Sequence, residues 1–387
     1  MWWFLRKDAI EIWQQEEMKG ELETYKGIYE GKKLPRYKLA KLFYVEIEQK
    51  QKEEEFNIPE EWKKHEEEGK KFREWIKENQ EKTLKEVEEA VFNEIEQEKI
   101  KNNNYLKRKI RLARELLKSC EFCENRCKVN REKGEKGRCG VDGKSYLSSM
   151  FIHMGEEAPI IPSGTLFFYG CTMKCVFCQN YDISQEYSLG MIKGTEVTGK
   201  ELAQIYNEVK IQGGRNINYV GGDPTPNIHT ILESLEITEI HLPLLWNSNM
   251  YLTKEGMKLI VDIMDIWLPD MKYGNNLCGE KYSLVKNYWE ILKRNMKMIE
   301  EKGSKEYIIR HLVMPEHIEC CSKTIITWVK DELEKPLMNI MGQYRPEYLV
   351  QRKRDEYQEI ARMPTREEMN KAQEFAEERG IKWKSLS

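Results

Sequence analysis

Between residues 163 and 344 the sequence alternates short apolar runs with amphipathic stretches, and this alternation restricts the fold more than any other feature. The runs are rich in β-branched and aromatic residues, a composition that favours strands. Strands are predicted at residues 165–169, 217–220, 242–246, 266–268, 307–314 and 337–341. Amphipathic helices are predicted between them, at about 199–212, 227–235, 254–264, 284–301 and 318–332.

Continuous apolar strands that alternate with helices are typical of a parallel sheet with helices on its faces. Each parallel neighbour requires a crossover connection, and such crossovers are right-handed almost without exception. Six units of this kind form a curved open sheet, or three quarters of a (β/α)8 barrel. The predicted fold class is therefore α/β, a partial (β/α)6 barrel of TIM type.

The composition of the remaining segments predicts how the chain is divided. The region before residue 120 is rich in Glu and Lys, and Leu84, Val87, Val91 and Ile95 share one face of a predicted helix. We predict a charged helical N-terminal extension over residues 1–119, a cysteine-rich metal-binding segment over 120–162, the partial barrel over 163–345 and a C-terminal helical tail over 346–387.

The charge balance gives no argument for nucleic acid or a membrane surface as partner. The 63 Lys and Arg residues nearly match 66 Asp and Glu, for a net charge of −3. No apolar run reaches the roughly 18 residues that a membrane span needs, and the apolar start at residues 1–5 is too short for a signal peptide. We expect a cytoplasmic protein, whose ten cysteines are better explained as metal ligands or redox groups than as disulfides.

Three cysteines directly follow the first predicted strand with C-x3-C-x2-C spacing, namely Cys171, Cys175 and Cys178. The carboxyl end of a parallel strand is where such folds carry their chemistry. Thiolates are the usual ligands of iron–sulfur clusters, and three of them leave one iron of a 4Fe–4S cube open to chelate a substrate. Zinc is the alternative, but structural zinc sites take four protein ligands and no fourth ligand with zinc spacing follows Cys178.

This spacing, with Phe177 before the last cysteine, resembles the signature of the radical S-adenosylmethionine (SAM) superfamily. Residues 120–344 are similar to pyruvate formate-lyase activating enzyme and to a related branch of uncharacterised iron–sulfur proteins. The resemblance implies a barrel of radical SAM type, with a 4Fe–4S cluster on the three catalytic cysteines and SAM as second cofactor. It also implies reductive cleavage of SAM to a 5′-deoxyadenosyl radical that abstracts a hydrogen atom from the substrate.

The resemblance assigns further cofactor-binding residues at the ends of the predicted strands. Gly221-Gly222-Asp223 stands where the superfamily carries Gly-Gly-Glu, which holds the SAM amino group, and Asp223 is one methylene shorter. A plain turn is the alternative for this stretch. The full predicted set is Phe177, Gly221, Gly222, Asp223, Asn247, Ser248, Asn249, Asp270, Lys272 and Arg310. Mutual ion pairing is the alternative for Asp270, Lys272 and Arg310, because unpaired buried charge is costly.

A second cysteine group precedes the triplet, with C-x2-C-x3-C-x11-C spacing at Cys120, Cys123, Cys127 and Cys139. Four cysteines at such spacing predict a metal site. Zinc would form a closed tetrahedral clip, and a 4Fe–4S cube would form an auxiliary cluster; zinc or another structural metal is slightly preferred. The remaining Cys278, Cys320 and Cys321 lie outside any motif and are interpreted as apolar packing residues.

The predicted function is that of a radical SAM oxidoreductase supplied with electrons by a reduced ferredoxin or flavodoxin. By resemblance its substrate is a backbone glycine in a partner protein of the glycyl-radical type. Two alternatives remain open. One is radical modification of a small molecule or nucleic acid, and the other is a non-catalytic scaffold in which both cysteine groups hold structural metal.

Overall fold

The computed structural model describes residues 6–47, 57–186, 194–384 and 386. The apolar start at residues 1–5 lies outside the described residues. The strands are β1 (Ser145–His153), β2 (Ser163–Phe168), β3 (Thr195–Val197), β4 (Ile217–Gly221), β5 (Leu244–Ser248), β6 (Ile266–Pro269), β7 (Ile308–Leu312) and β8 (Leu337–Met341). No helix among the described residues has the length and apolarity needed to cross a membrane.

The helices fill the intervals between the strands and most of the region before them. They are α1 (Asp8–Glu11), α2 (Glu23–Tyr29), α3 (Arg36–Leu42), α4 (Ile58–Asn79), α5 (Leu84–Glu94), α6 (Gln97–Asn102), α7 (Tyr105–Lys118), α8 (Tyr181–Ser184), α9 (Gly199–Ile211), α10 (Ile228–Ile237), α11 (Lys254–Ile260), α12 (Asn276–Ser283), α13 (Tyr288–Lys302), α14 (Thr324–Glu332), α15 (Tyr348–Arg352) and α16 (Arg366–Glu378). A π-helix, Ile318–Lys323, leads directly into α14.

The central sheet is mostly parallel, and its parallel strands are neighbours in chain order. Strands β2, β4, β5 and β6 pair in parallel, as do β7 and β8. Parallel bridges between Trp267 and Tyr307 and between Asp270 and Arg310 connect β6 to β7. The prediction of an α/β fold with a mostly parallel sheet is confirmed, and the arrangement is consistent with a radical SAM partial barrel. All six carboxyl ends therefore lie along one edge.

Two antiparallel strands extend the sheet beyond the parallel series. Strand β1 pairs with β2 on one side and β3 on the other, both antiparallel. The prediction for residues 120–162 contained no strand and missed β1. Ser148 and Ser149 interrupt its apolar residues and most of its side chains are partly exposed, so it lacks the continuous buried apolar run used to predict the others.

The N-terminal helices pack directly on the parallel strands and their connections. The Asn216 side-chain amide donates to the Tyr25 hydroxyl at 2.9 Å, and the Arg36 backbone N–H donates to Asp265 at 3.0 Å. The Tyr105 hydroxyl donates to Asp262 at 2.8 Å. Apolar residues of α3, α4 and α7 share one buried core with those of the sheet. The predicted domain boundaries stay a prediction.

Candidate active site

A cavity of about 290 Å3 lies at the carboxyl ends of the parallel strands. It brings together residues from the loops after β2, β4, β5 and β6 with side chains of β7 and β8. Its lining includes every residue predicted for the cluster triplet and the cofactor site: Cys171, Cys175, Phe177, Cys178, Gly221, Gly222, Asp223, Asn247, Ser248, Asn249, Asp270, Lys272 and Arg310. Their roles stay a prediction, whereas their convergence is a property of the fold.

Each thiol of the triplet has a hydrogen-bond partner from a different part of the chain. The Asn249 side-chain amide donates to the Cys171 sulfur at 3.5 Å. The Ser283 hydroxyl lies 3.0 Å from the Cys175 sulfur, and the Ser184 hydroxyl lies 3.3 Å from the Cys178 sulfur. Hydrogen bonds to cysteine sulfur are one of the means by which proteins tune iron–sulfur clusters.

Burial keeps these thiols protonated when nothing is bound to them. It raises the pKa of Cys175 to about 11, and the neighbouring Lys272 ammonium offsets only part of this effect. It likewise raises the pKa of Cys171 and Cys178. Deprotonation of three buried thiols in one cavity requires a compensating positive charge, which bound metal provides.

The spacing of the sulfurs distinguishes between the metals considered above. A tetrahedral zinc ion with bonds of about 2.3 Å holds its thiolates about 3.8 Å apart. In the described part of the chain, neither the triplet nor the upstream quartet places three ligand atoms within 4.8 Å of one another. A cube binds each thiolate to a different iron and so holds them further apart. The residues present therefore fit a cluster better than a single zinc ion.

The two glycines at the end of β4 are required by the close approach of this strand end to the chain's own backbone. Gly221 has a φ of +116°, and a Cβ there would lie 2.2 Å from the Phe168 nitrogen. A Cβ on Gly222 would lie 2.3 Å from the Gly170 carbonyl oxygen. The Gly222 and Asp223 backbone N–H groups donate to Phe168 and Gly170, which fixes the end of β4 against the start of the cysteine loop.

The Asp223 carboxylate, which is 2% exposed, holds the end of β5 in position. One oxygen accepts from the Thr225 backbone N–H at 2.9 Å. The other accepts from the Ser248 hydroxyl at 2.9 Å and the Asn249 backbone N–H at 3.0 Å. Through Asn249 this carboxylate also orients the amide that donates to Cys171. Asp223 is therefore a positioning residue in this geometry, in addition to its predicted contact with SAM.

Replacing Asp223 by Asn is expected to lower the free energy of unfolding by about 1–3 kcal/mol. The amide NH2 would face one of the donors that the carboxylate now accepts, and that donor would be buried without a partner. Urea unfolding measures the change. Asp182→Asn, at an exposed position in α8, is the control and should change stability by less than about 0.5 kcal/mol. Equal stability of the two variants would contradict the role given to Asp223.

Asn247 presents an unsatisfied buried donor at the cavity wall. Its side-chain oxygen accepts from Arg310 at 3.4 Å, while its Nδ2 has no hydrogen-bond partner within the described structure. An orphaned buried amide costs free energy unless a ligand or water accepts from it. Because this unsatisfied donor lies beside three thiols, it indicates that the cavity binds a polar ligand, such as a cofactor with amino and carboxylate groups.

The charged residues of the cavity are paired with one another. Lys272 contacts Asp270 at 2.6 Å. Arg310 forms a bidentate contact with Glu157, at 2.8 and 2.9 Å, and also pairs with Glu156. The guanidinium that is predicted to bind the cofactor therefore already holds two carboxylates of the chain itself. The ion-pairing alternative accounts for these contacts, and a direct role of Arg310 toward SAM stays a prediction.

Several residues of the site carried no usable signal in the sequence. Glu156 and Glu157 lie in the connection that precedes β2, and Asn339 of β8 donates to Glu157 at 2.8 Å. Ser184 and Ser283, the partners of two cysteine sulfurs, belong to helices α8 and α12. Gln179 and Asn180 were detectable in principle, because they directly follow Cys178 and line the same cavity.

The upstream quartet lies beside the cysteine loop rather than in the cavity. The Asn125 side-chain amide donates to the Thr172 carbonyl oxygen at 2.7 Å and lies 3.5 Å from the Cys123 sulfur. The Arg138 backbone N–H donates to the Cys127 sulfur at 3.2 Å. Burial raises the pKa of both Cys123 and Cys139. These contacts connect the quartet to the residue that follows Cys171.

The sequence profile of the Radical SAM superfamily matches residues 165–327. The chain is also 46% identical over 298 residues to Uncharacterized protein MJ0674 of Methanocaldococcus jannaschii, an alignment that covers 76% of this chain and 85% of that protein. The chain belongs to the radical SAM superfamily, which confirms the superfamily part of the predicted resemblance.

More distant similarities were also found. Uncharacterized protein MJ0808 of the same organism is 23% identical over 250 residues, covering 59% of this chain and 71% of that protein. The crystal structure of Streptococcus suis SuiB bound to precursor peptide SuiA aligns with a TM-score of 0.41 and 14% identity, over 56% of this chain and 45% of that one. An overlap of this size does not bear on function.

Proposed function

We propose that this protein is a radical SAM oxidoreductase in which Cys171, Cys175 and Cys178 hold a 4Fe–4S cluster. The observation that carries the proposal is the cavity in which three buried thiols face the orphaned Asn247 amide. When bound there, the cluster and SAM supply reductive cleavage of the sulfonium to methionine and a 5′-deoxyadenosyl radical that removes a hydrogen atom from substrate. The parallel strands form the partial barrel of radical SAM type.

The chain's own residues bind and orient the cofactors and exclude water. The Asn247 amide donates to a polar group of SAM, which satisfies a donor that otherwise lacks a partner. Asn249, Ser184 and Ser283 donate to the three sulfurs and stabilise their thiolate form. The Lys272 ammonium, held by Asp270, favours the thiolate form of Cys175.

For the substrate, we propose hydrogen abstraction from a backbone glycine of a partner protein, with a reduced ferredoxin or flavodoxin as electron donor in the cytoplasm. The support is the similarity of the strand-end motifs to those of pyruvate formate-lyase activating enzyme. A second cavity of about 470 Å3 shares Asn247, Arg310 and Met341 with the first and gives the substrate a place beside the proposed SAM site. Modification of a small molecule by the same radical is the alternative that this cavity also accommodates.

For the quartet, we propose a second 4Fe–4S cluster on Cys120, Cys123, Cys127 and Cys139. The support for a cube over the zinc ion that the sequence slightly favoured is that no three of these four sulfurs all lie within 4.8 Å of one another in the described structure. The contact between Asn125 and Thr172 places the quartet next to the cysteine loop, where a second cluster serves as an electron relay.

The decisive experiment is anaerobic reconstitution with iron and sulfide, followed by incubation with dithionite and SAM. The wild type is expected to form 5′-deoxyadenosine, and Cys175→Ala is expected to fall to the level of a protein-free control. Iron content is measured on the same samples, with about eight irons per chain in the wild type and about four in Cys175→Ala if the quartet holds a cube.

The control for this experiment is Ile211→Ala, at a residue of α9 that is 84% exposed, and it should behave as the wild type. Absence of deoxyadenosine from a wild-type protein with full iron content would overturn radical cleavage and favour the scaffold alternative. An iron content of about four in the wild type and none in Cys175→Ala would reject the second cluster alone.

A further inference from the structure

A third group of thiols lies outside both motifs and is much tighter than either of them. The sulfurs of Cys278, Cys320 and Cys321 all lie within 4.8 Å of one another. The sulfurs of Cys320 and Cys321 are 3.7 Å apart. A tetrahedral zinc ion holds its thiolates about 3.8 Å apart, so this group has the spacing of a single-metal site. The sequence interpretation of these cysteines as apolar packing residues does not account for that spacing.

The fold brings the three thiols together from two loops that follow neighbouring strands. Cys278 lies in the first turn of α12, where its backbone N–H donates to the Asn275 side chain at 2.8 Å. Cys320 and Cys321 lie in the π-helix Ile318–Lys323, a rare conformation that recurs at functional sites. The Asn275 amide donates to the Cys320 carbonyl oxygen at 3.1 Å and so joins the two loops.

An imidazole lies beside the three thiols. The Nδ1 of His317 donates to the Pro315 carbonyl oxygen at 2.6 Å, and its Nε2 lies 3.1 Å from the Tyr282 hydroxyl. Histidines that bind metal through one nitrogen commonly donate to a backbone carbonyl through the other. His317 also makes a hydrogen bond with Cys278. Two half-buried or exposed thiols, Cys278 and Cys320, leave a path by which an ion can enter.

The mutual contact of the three sulfurs favours a shared cation. A thiolate next to two further sulfurs is a ready ligand for a soft or borderline metal ion.

We propose that Cys278, Cys320, Cys321 and His317 bind one Zn2+ ion that joins α12 to the π-helix before α14. Binding requires His317 to exchange its Tyr282 contact for the metal, and the site of three thiolates and one imidazole is then closed and structural. Its consequence for the cavity is mechanical. Helix α12 ends at Ser283, whose hydroxyl contacts the Cys175 sulfur at 3.0 Å and the Tyr273 hydroxyl at 2.9 Å. Fixing α12 at its first turn keeps that hydroxyl against the cluster ligand.

The test is the zinc content of anaerobically purified full-length protein, measured by inductively coupled plasma mass spectrometry after passage over a desalting column. Cys320→Ser, at an exposed position, is expected to contain one zinc ion fewer per chain than the wild type and the same amount of iron. Cys175→Ser is the reciprocal control and should lose iron while keeping the zinc. These two readouts separate a failure of this proposal from a failure of the proposed function.

Equal zinc content in Cys320→Ser and wild type would overturn the assignment. A disulfide among the three cysteines would also overturn it. Such a disulfide is detected in the anaerobic wild type as cysteines that can be alkylated only after reduction. His317→Asn provides a second variant whose thiols are intact. If a chelator removes zinc from this variant faster than from the wild type, the imidazole is supported as fourth ligand. Unchanged removal would reject His317 from the ligand set.

Discussion

Replacing Lys109 by Met is expected to lower the free energy of unfolding by about 3–5 kcal/mol, because it leaves the buried Asp262 carboxylate without its closest cation. Lys109 of α7 is fully buried, and its Nζ lies 2.7 Å from Asp262. The same Nζ donates to the Lys258 carbonyl oxygen at 2.8 Å. Among the described residues, Asp262 then keeps the Tyr105 hydroxyl and the more distant Arg73, at 3.6 Å.

The control is Lys107→Met on the same helix. Lys107 pairs with Glu236 at 3.2 Å in a partly exposed setting, so its loss should cost less than about 1 kcal/mol. Urea unfolding of both variants measures the difference. The double variant Lys109→Met/Asp262→Asn should recover part of the loss, because it removes the unpaired charge. Similar stabilities for the two single variants would show that the N-terminal helices are not fastened to the barrel through this pair.

The second large effect is expected from Arg310→Met, which leaves Glu156 and Glu157 adjacent and buried without their shared guanidinium. Glu157 keeps the Asn339 amide and Glu156 keeps His153, but neither partner carries a permanent charge. We expect the free energy of unfolding at neutral pH to fall by about 3–5 kcal/mol. Arg352→Met is the matched control, since its pair with Glu186 is 53% and 30% exposed and should contribute less than about 1 kcal/mol.

The pH dependence of stability in the wild type and in Arg310→Met tests whether Arg310 acts on Glu156 through its charge. Burial is the largest effect on the pKa of Glu156 and raises it, but Arg310 and His153 together outweigh burial and lower that pKa to about 2 in the wild type. In the wild type, the ionised Glu156 therefore stabilises the folded state above the unfolded pKa of about 4.3. This stabilisation is lost as the pH falls below that value. In the variant only His153 opposes burial, so the pKa of Glu156 rises above its wild-type value and the stability gained above about pH 4.3 is reduced.

The difference in the free energy of unfolding between wild type and Arg310→Met should consequently be small at acid pH and grow toward neutral pH. Urea unfolding at a series of pH values between those limits measures it. A difference that stays constant with pH would mean that the guanidinium stabilises this region by packing and not by pairing with Glu156.

The secondary structure of the barrel was predictable because its strands are buried on both faces. The predicted run 337–341 coincides with β8, and 217–220 and 266–268 each lie within one residue of β4 and β6. The predicted helix 318–332 is instead a π-helix followed by α14, because hydrophobic spacing does not distinguish one helical hydrogen-bond pattern from another. Strand β1 and helix α12 were missed, since a partly exposed antiparallel strand and a short polar helix have weak apolar periodicity.

The sequence by itself determined the class of chemistry and the strand ends at which it gathers. Thiol spacing and glycine placement are local properties, and parallel topology then brings strand ends to one edge whatever the details of packing. Only the tertiary structure decided what each of these groups touches. The partner of Cys175 is Ser283, 108 residues later in the chain, and the partners of Arg310 are Glu156 and Glu157, more than 150 residues earlier. Contacts over such separations depend on how helices and loops pack in three dimensions, and no periodicity in the chain encodes that packing.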